Sequence, residues 1–327
     1  MIRIGLLGAS KIAVEAMIAP SLEIDGVAVT CVAARNLLRA TAYADKHNIP
    51  AVEPSYDALI ANDDIDLIYN GLPPSEHARW SIAALRGGKH VLCEKPIALN
   101  AKEAQAMVQA ATDSRRYLLE AFHYRHHPAF GRFLNILAAG SIGPVQRADA
   151  RFDVPIKCQK YELRYDLSLG GGAMMDLGCY PVHWVRQVIQ SEPIVETAEA
   201  DWHATGVDVA MRAKISFPGG EAATVSVSMA ENLPSGVDAE LTVTGTNGRL
   251  TIVNPLVPHT GHLITLERNG DLETEQVSGR TTYFHQLCHV KEVLEGRAAP
   301  LTGGHDAVAN MRIIDAVYYA AGRRCRS

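Results

Sequence analysis

Over the first 120 residues, short apolar runs alternate with stretches in which apolar residues recur every three or four positions. The runs at 3–8 (RIGLLG), 27–34 (VAVTCVAA), 51–52, 65–70 (IDLIYN) and 89–93 (KHVLC) read as buried strands, and 9–17, 40–48, 56–61 and 76–86 as the helices between them. A helix at 101–113 and a short strand at 117–121 follow. Strands alternating with helices imply a parallel, doubly wound α/β sheet, so residues 1–121 are expected to form a Rossmann-type domain.

From residue 145 the pattern changes. Strand-like segments at 145–152, 210–217, 222–229, 239–244, 249–253 and 262–266 are grouped together, with hairpin turns expected at Pro218-Gly219-Gly220, Asn247-Gly248 and Asn269-Gly270. Grouped strands predict that residues 122–327 form an α+β domain with a large, mainly antiparallel sheet, closed by helices at 283–294 and 305–321.

The first strand runs directly into Gly8-Ala9-Ser10-Lys11-Ile12-Ala13 and then a helix. Strand, tight turn and helix start is the order a dinucleotide site needs, because backbone N–H groups and the helix N-terminus then face a pyrophosphate. Ser10 stands where G-x-G-x-x-A has its second glycine, although its side chain is small enough for close approach. The second strand ends in Arg35-Asn36, without the acid that binds the ribose hydroxyls in NAD sites. Arg35, with Arg39 one helical turn on, reads either as a 2′-phosphate site that favours NADP(H) over NAD(H), or as two solvated arginines at a helix start.

The chain has 327 residues, 47% hydrophobic and 20% charged, with a net charge of -5. That is the composition of a globular protein long enough for two domains, and it lacks the basic stripe of a nucleic-acid binder. No apolar run approaches the roughly 20 residues that span a bilayer, and the start at 4–9 is too short for a secretory core, so a cytoplasmic location is expected. Cys31, Cys93, Cys158, Cys179, Cys288 and Cys325 are scattered without a C-x-x-C pair and read as reduced thiols. His285, Cys288 and His289 have a helical ligand spacing but no evident fourth group, and no metal site is expected there or at His126-His127.

The stretch at 170–183, GGGAMMDLGCYPVH, carries the most chemistry. Three glycines precede a helix start, and Asp176 and Tyr180, four residues apart, are expected on one face of that helix. An acid and a phenol there read either as a capping Asp and a packed Tyr or as a reactive pair.

Residues 87–96 (GGKHVLCEKP) resemble the signature of the glucose-fructose oxidoreductase, inositol dehydrogenase and rhizopine catabolism (Gfo/Idh/MocA) family. Glu120-Ala121-Phe122 with Tyr124-Arg125 and Pro128, the stretch at 170–183, Gly245-Thr246-Asn247-Gly248, and 310–322 (NMRIIDAVYYAAG) resemble further motifs of that family in the same order. Gly178-Cys179-Tyr180-Pro181 is similar to the subgroup containing dimeric dihydrodiol dehydrogenase and NADP-dependent D-xylose dehydrogenase.

The resemblance implies hydride transfer between NADP(H) and a secondary alcohol or ketone of a sugar, a cyclic polyol or a trans-dihydrodiol. It places Gly8, Ser10, Lys11, Ile12, Arg35, Arg39, Leu72, Pro73, His77, Glu94 and Lys95 at the cofactor, with a cis bond at Lys95–Pro96. Lys95, Asp176 and Tyr180 become the catalytic candidates. Tyr180 would donate and accept the proton, and a lysine ammonium beside a phenol would favour the phenolate. Tyr180 occupies the position where many members carry a histidine, and His183 lies three residues beyond it. Arg125, Tyr161 and His183 are candidate substrate-pocket residues, Tyr161 also reading as a packing residue and His183 as a helix-face or pocket-wall residue. A homodimer or homotetramer formed through the second domain's sheet is implied as well. Two rival classes are a hydrolase that uses a nicotinamide cofactor transiently and a non-catalytic cofactor sensor.

Overall fold

Ile4, Leu6 and Leu7 are wholly buried in the strand Ile2–Leu7 (β1), as befits a strand covered on both faces. The structure, a computed structural model, describes residues 1–323, so Cys325 lies outside the described residues. β1 pairs in parallel with Val27–Ala33 (β2) on one side and Leu67–Asn70 (β4) on the other. With Ala51–Glu53 (β3), His90–Cys93 (β5) and Leu118–Glu120 (β6) these make a six-stranded parallel sheet in the order β3-β2-β1-β4-β5-β6. The chain winds outward in both directions from β1, and in such sheets ligands bind beyond the carboxyl ends of the strands at that switch point.

The connecting helices are placed by their caps. After a π-helical turn, Val14–Ile18, comes a short helix Ala19–Ser21 (α1), so the segment expected as a regular helix at 9–17 is displaced and widened. Leu37–His47 (α2) starts three residues before the expected position because Asn36 Oδ1 accepts the Arg39 N–H at 3.0 Å. Leu37 and Leu38 are exposed, which hid that start from the apolar period. Tyr56–Ala61 (α3) is capped by Ser55, Pro74–Arg86 (α4) begins with proline in its first turn, and Ala101–Ser114 (α5) is capped by Asn100.

Two compact units result, Met1–His123 with Tyr283–Val308, and Tyr124–Thr282 with the described residues from Ala309 onward. The compact units differ from a single cut between residues 121 and 122 in grouping the segment Tyr283–Val308 with the first. The reason is packing: Leu287, Val290 and Val293 join Ile4, Leu6, Met17 and Val27 in the core of the first unit. Thr302 also donates to the Glu120 carbonyl at 2.7 Å.

In the second unit the helix Pro128–Ala138 (α6), capped by His127, leads into Val145–Asp153 (β7). The helix Cys179–Ile189 (α7) and the strands Ile194–Trp202 (β8), Asp208–Ser216 (β9), Ala222–Ser228 (β10), Asp238–Gly245 (β11), Gly248–Val253 (β12), Leu263–Arg268 (β13) and Asp271–Glu275 (β14) follow. The eight strands form one sheet in the order β14-β13-β12-β11-β7-β10-β9-β8, antiparallel except for the β7–β10 pair. The edge strands β8 and β14 escaped the sequence pattern because most of their residues are exposed. α7 packs on β7, β10 and β11 and is buried nearly all round. Thr282–Leu294 (α8) and Gly304–Ala320 (α9) end the fold. No helix of the described residues is long and apolar enough to cross a membrane.

Candidate functional site

In the first unit, Gly8 leaves β1 at φ +93°, a conformation glycine adopts without strain, and its N–H donates to the Ala33 carbonyl at 2.8 Å. A Cβ there would lie 2.9 Å from Leu72 Cδ2, so the loops after β1 and β4 meet closely. Ser10 Oγ accepts the Ala13 N–H at 3.3 Å, which caps the helical turn, and Ser10 lies near Gly71, whose Cβ would be 2.9 Å from that oxygen. Two side chains of α2 hold the loop from outside. Arg39 Nη2 donates to the Ala9 carbonyl at 3.0 Å, and the Tyr43 hydroxyl to the Ser10 carbonyl at 2.8 Å. Burial raises the Tyr56 phenol while Arg35 and then Arg39 oppose that shift, so both guanidiniums act on one ring. Arg39 thus lies against the turn that begins at Gly8, and Arg35 lies near Tyr56.

At the end of β5, Tyr69 donates to Glu94 Oε1 at 2.6 Å and the Lys95 N–H reaches Glu94 Oε2 at 3.3 Å. The Lys95–Pro96 bond is cis. Asn70 Nδ2 is tied to the His77 carbonyl and to Ser81, and its Oδ1 accepts the Leu72 N–H, which fixes the turn containing Leu72 and Pro73.

His77 is not free to meet a cofactor. It is wholly buried, with Nδ1 2.9 Å from the Pro96 carbonyl and Nε2 2.7 Å from the Leu72 carbonyl, and so acts as a strut between the two turns. Two carbonyls favour a proton on each nitrogen, but burial outweighs them and pushes the imidazole down to about 4 from its usual 6.5. A folded-state value below the unfolded one means that the unfolded chain takes up the proton first, so this contribution to stability is present above pH 6.5 and is lost as pH falls towards 4. Between pH 6 and 5 the wild type should lose about 1.2 kcal/mol more stability than His77→Gln. Urea unfolding of both proteins at the two pH values checks this, and parallel losses would exclude the role. His90, also lowered to about 4, is common to both proteins and cancels.

In the second unit, the glycines at 170–172 press against the turn Leu163–Tyr165. Gly170 and Gly172 have φ of +87° and +124°, the Gly171 N–H donates to the Asp166 carbonyl at 2.9 Å, and the Gly172 N–H donates to the Arg164 carbonyl at 2.8 Å. This places Arg164 so that its Nε donates to Asp176 Oδ2 at 2.5 Å and its Nη1 to Glu162 Oε1 at 3.0 Å. Asp176, one of the catalytic candidates, is therefore engaged by Arg164, which the sequence pattern did not single out.

The helical segment beyond is anchored at two points. Asp208, wholly buried, accepts the Met174 N–H at 2.6 Å and the Tyr318 hydroxyl at 2.7 Å, while Asn310 Nδ2 donates to the Cys179 carbonyl at 3.1 Å. A π-helical turn, Met174–Gly178, runs into α7, so the interval of four from Asp176 to Tyr180 spans a widened turn and no longer marks one α-helical face. The Tyr180 ring lies instead among Tyr124, Phe152 and Trp184 at centroid distances of 6.0, 5.8 and 6.4 Å. His183 is wholly buried and bonded to Tyr124, and Arg125 is bonded to Gln187. Tyr161 is 86% exposed at φ +71°, with Lys160 above its ring, so it is not a packing residue.

Residues 2–122 match the family described as oxidoreductase family, NAD-binding Rossmann fold (GFO_IDH_MocA), and residues 131–251 match the GFO/IDH/MocA C-terminal domain. The chain belongs to the GFO/IDH/MocA oxidoreductase family. It is 32% identical to D-xylose 1-dehydrogenase (NADP(+)) 2 of Haloferax volcanii over 97% of this chain and 96% of that one. It is also 32% identical to trans-1,2-dihydrobenzene-1,2-diol dehydrogenase of Xenopus tropicalis, over 89% and 88%. Among solved structures, the 3-ketoreductase KijD10 of Actinomadura kijaniata, in complex with NADP and TDP-benzene, superposes with a TM-score of 0.89 at 26% identity over 99% and 98% of the two chains.

As a member of this family the protein is an oxidoreductase with an NAD-binding Rossmann domain. Its residues fit a nicotinamide dinucleotide: a positive-φ glycine ends β1, a capped helical turn follows, and Arg39 is bonded to the turn's own backbone.

Proposed function

We propose that the protein is an NADP(H)-dependent oxidoreductase that interconverts a secondary alcohol and a ketone on a sugar, a cyclic polyol or a trans-dihydrodiol. The observation that carries this reading is Tyr180, a proton-bearing group on a helix enclosed by aromatic rings, in a chain of an oxidoreductase family. The names of the relatives, a D-xylose dehydrogenase using NADP(+) and a dihydrodiol dehydrogenase, agree with it.

The bound nicotinamide would supply or accept the hydride. In this reading the turn at Gly8, Ser10, Lys11 and Ile12 binds the pyrophosphate, and Arg35 and Arg39 bind the 2′-phosphate. Leu72, Pro73 and Glu94 are backbone-fixed walls of the cofactor site. Tyr180 gives a proton to the developing alkoxide or takes one from the alcohol, and Lys95 is the alternative proton donor. Asp176, its orientation set by Arg164, accepts substrate hydroxyls. Tyr161, free of packing, remains a candidate for the substrate's outer end.

The test is an absorbance screen of aldoses, ketoses, inositols and trans-diols with NADP+ and NADPH. Turnover without net change in NADPH absorbance would overturn the reading in favour of hydrolysis. For the cofactor preference, Arg35→Asp should weaken NADP(H) binding by about tenfold or more, since a like charge replaces a phosphate partner, and leave NAD(H) binding little changed. Fluorescence titration checks this, and equal binding of both cofactors by the wild type would refute it.

A further inference from the structure

Arg125, Gln187, His183 and Tyr124 form a continuous chain inside the second unit. Arg125 Nε lies 3.1 Å from Gln187 Oε1, Gln187 Nε2 lies 3.3 Å from His183 Nε2, and His183 Nδ1 lies 2.6 Å from the Tyr124 hydroxyl. His183 and Tyr124 are wholly buried. A guanidinium has only donors, so Gln187 must present its oxygen to Arg125. The amide nitrogen then faces His183 and can only donate, which makes His183 Nε2 an acceptor. A neutral imidazole that accepts at Nε2 carries its proton on Nδ1, and that N–H donates to the Tyr124 oxygen. The opposite polarity would turn the amide nitrogen towards the guanidinium, donor against donor.

We infer that Arg125, Gln187 and His183 are positioning residues that hold His183 as its Nδ1–H tautomer and fix Tyr124 as an acceptor, thereby setting the aromatic wall around Tyr180. This inference rests on the assignment of proton transfer to Tyr180. Every donation runs one way, from the cation at Arg125 inward, and each bond polarises the next. Tyr124 is the member that transmits the effect. Its ring meets Tyr180 at 6.0 Å and 64°, Trp184 at 5.9 Å and 85°, and Phe130 at 4.7 Å and 88°, so rotation of its hydroxyl end disturbs the ring packed against the proposed acid–base group.

The experiment combines a spectroscopic and a kinetic reading on the full chain. With 15N-labelled histidine, the His183 resonances, identified by their absence in His183→Asn, should show the Nδ1–H tautomer. In Gln187→Glu a carboxylate faces Nε2 and should draw a proton onto it. On a substrate found by the absorbance screen, His183→Phe and Gln187→Glu should lower kcat by about tenfold with KM and NADP(H) binding unchanged. His183→Asn, whose amide can still donate to Tyr124, should stay within about threefold of wild type.

An Nε2–H tautomer in the wild type would overturn the inference even if the variants do not fold, and so would a His183→Phe enzyme within twofold of wild-type kcat. Tyr180→Phe is measured alongside. Loss of activity there with retention in His183→Phe defeats only the positioning role, whereas retention in Tyr180→Phe defeats the assignment of Tyr180 itself.

Discussion

Replacing Tyr180 by phenylalanine should lower kcat by about two orders of magnitude while NADP(H) still binds. The substitution removes one oxygen and keeps the ring, so the contacts with Tyr124, Phe152 and Trp184 survive and α7 stays in place. What is lost, under the proposed function, is the group that trades a proton with the substrate oxygen. Positioned acid–base groups supply about 10² to 10⁴ in rate, and a hundredfold loss corresponds to about 2.7 kcal/mol of transition-state stabilisation. The pH dependence of kcat separates this from a packing defect, since the variant should lose the basic limb of the wild-type profile as well as its height. Lys95→Met, changed at the end of β5, should also lose about two orders of magnitude. A Tyr180→Phe enzyme that keeps most of its kcat and its pH dependence would remove Tyr180 from the mechanism and leave Lys95 as the acid.

The parts of the protein that were legible in the sequence are those whose physics is local. A parallel strand buried on both faces is a continuous apolar run, which is why β1, β2, β4 and β5 stand out. Gly8 marks a positive φ, and the segment at 87–96 is contiguous, so its turn and the Lys95–Pro96 bond could be placed by resemblance. Side chains that act across the fold were not legible. Arg164 reaches Asp176 only because the glycines at 170–172 fold back on its turn, and Asp208 reaches Met174 and Tyr318 across the unit. No spacing encodes either approach. His77 has the residue type of a ligand, but its burial and its two carbonyl partners make it a strut. The apolar period of α8 announced a helix but not the core that it joins, so the grouping of the segment Tyr283–Val308 with the first unit was not legible.

The glycine triplet gives a second large effect through sterics alone. Gly171 does not share the positive φ of Gly170 and Gly172, so alanine suits its backbone, and any cost comes from space. A Cβ at Gly171 would lie 2.6 Å from the carbonyl oxygens of both Leu163 and Arg164. Those are backbone atoms and cannot rotate away as a flexible side chain would. The turn Leu163–Tyr165 must retreat, stretching the bond from the Gly172 N–H to the Arg164 carbonyl and shifting the guanidinium that holds Asp176. Overpacking of this kind costs about 1–3 kcal/mol, and the upper end is expected because backbone must move. Gly171→Ala should therefore unfold at lower urea with an unchanged slope, and its kcat should fall by about tenfold as Asp176 loses its orientation. Gly131→Ala is the control. Its Cβ would meet nothing within 4 Å inside α6, where alanine is the better helix former, so that variant should be as stable as wild type or slightly more so. If Gly171→Ala matched Gly131→Ala in both stability and kcat, the triplet would have no part in setting Arg164 and Asp176.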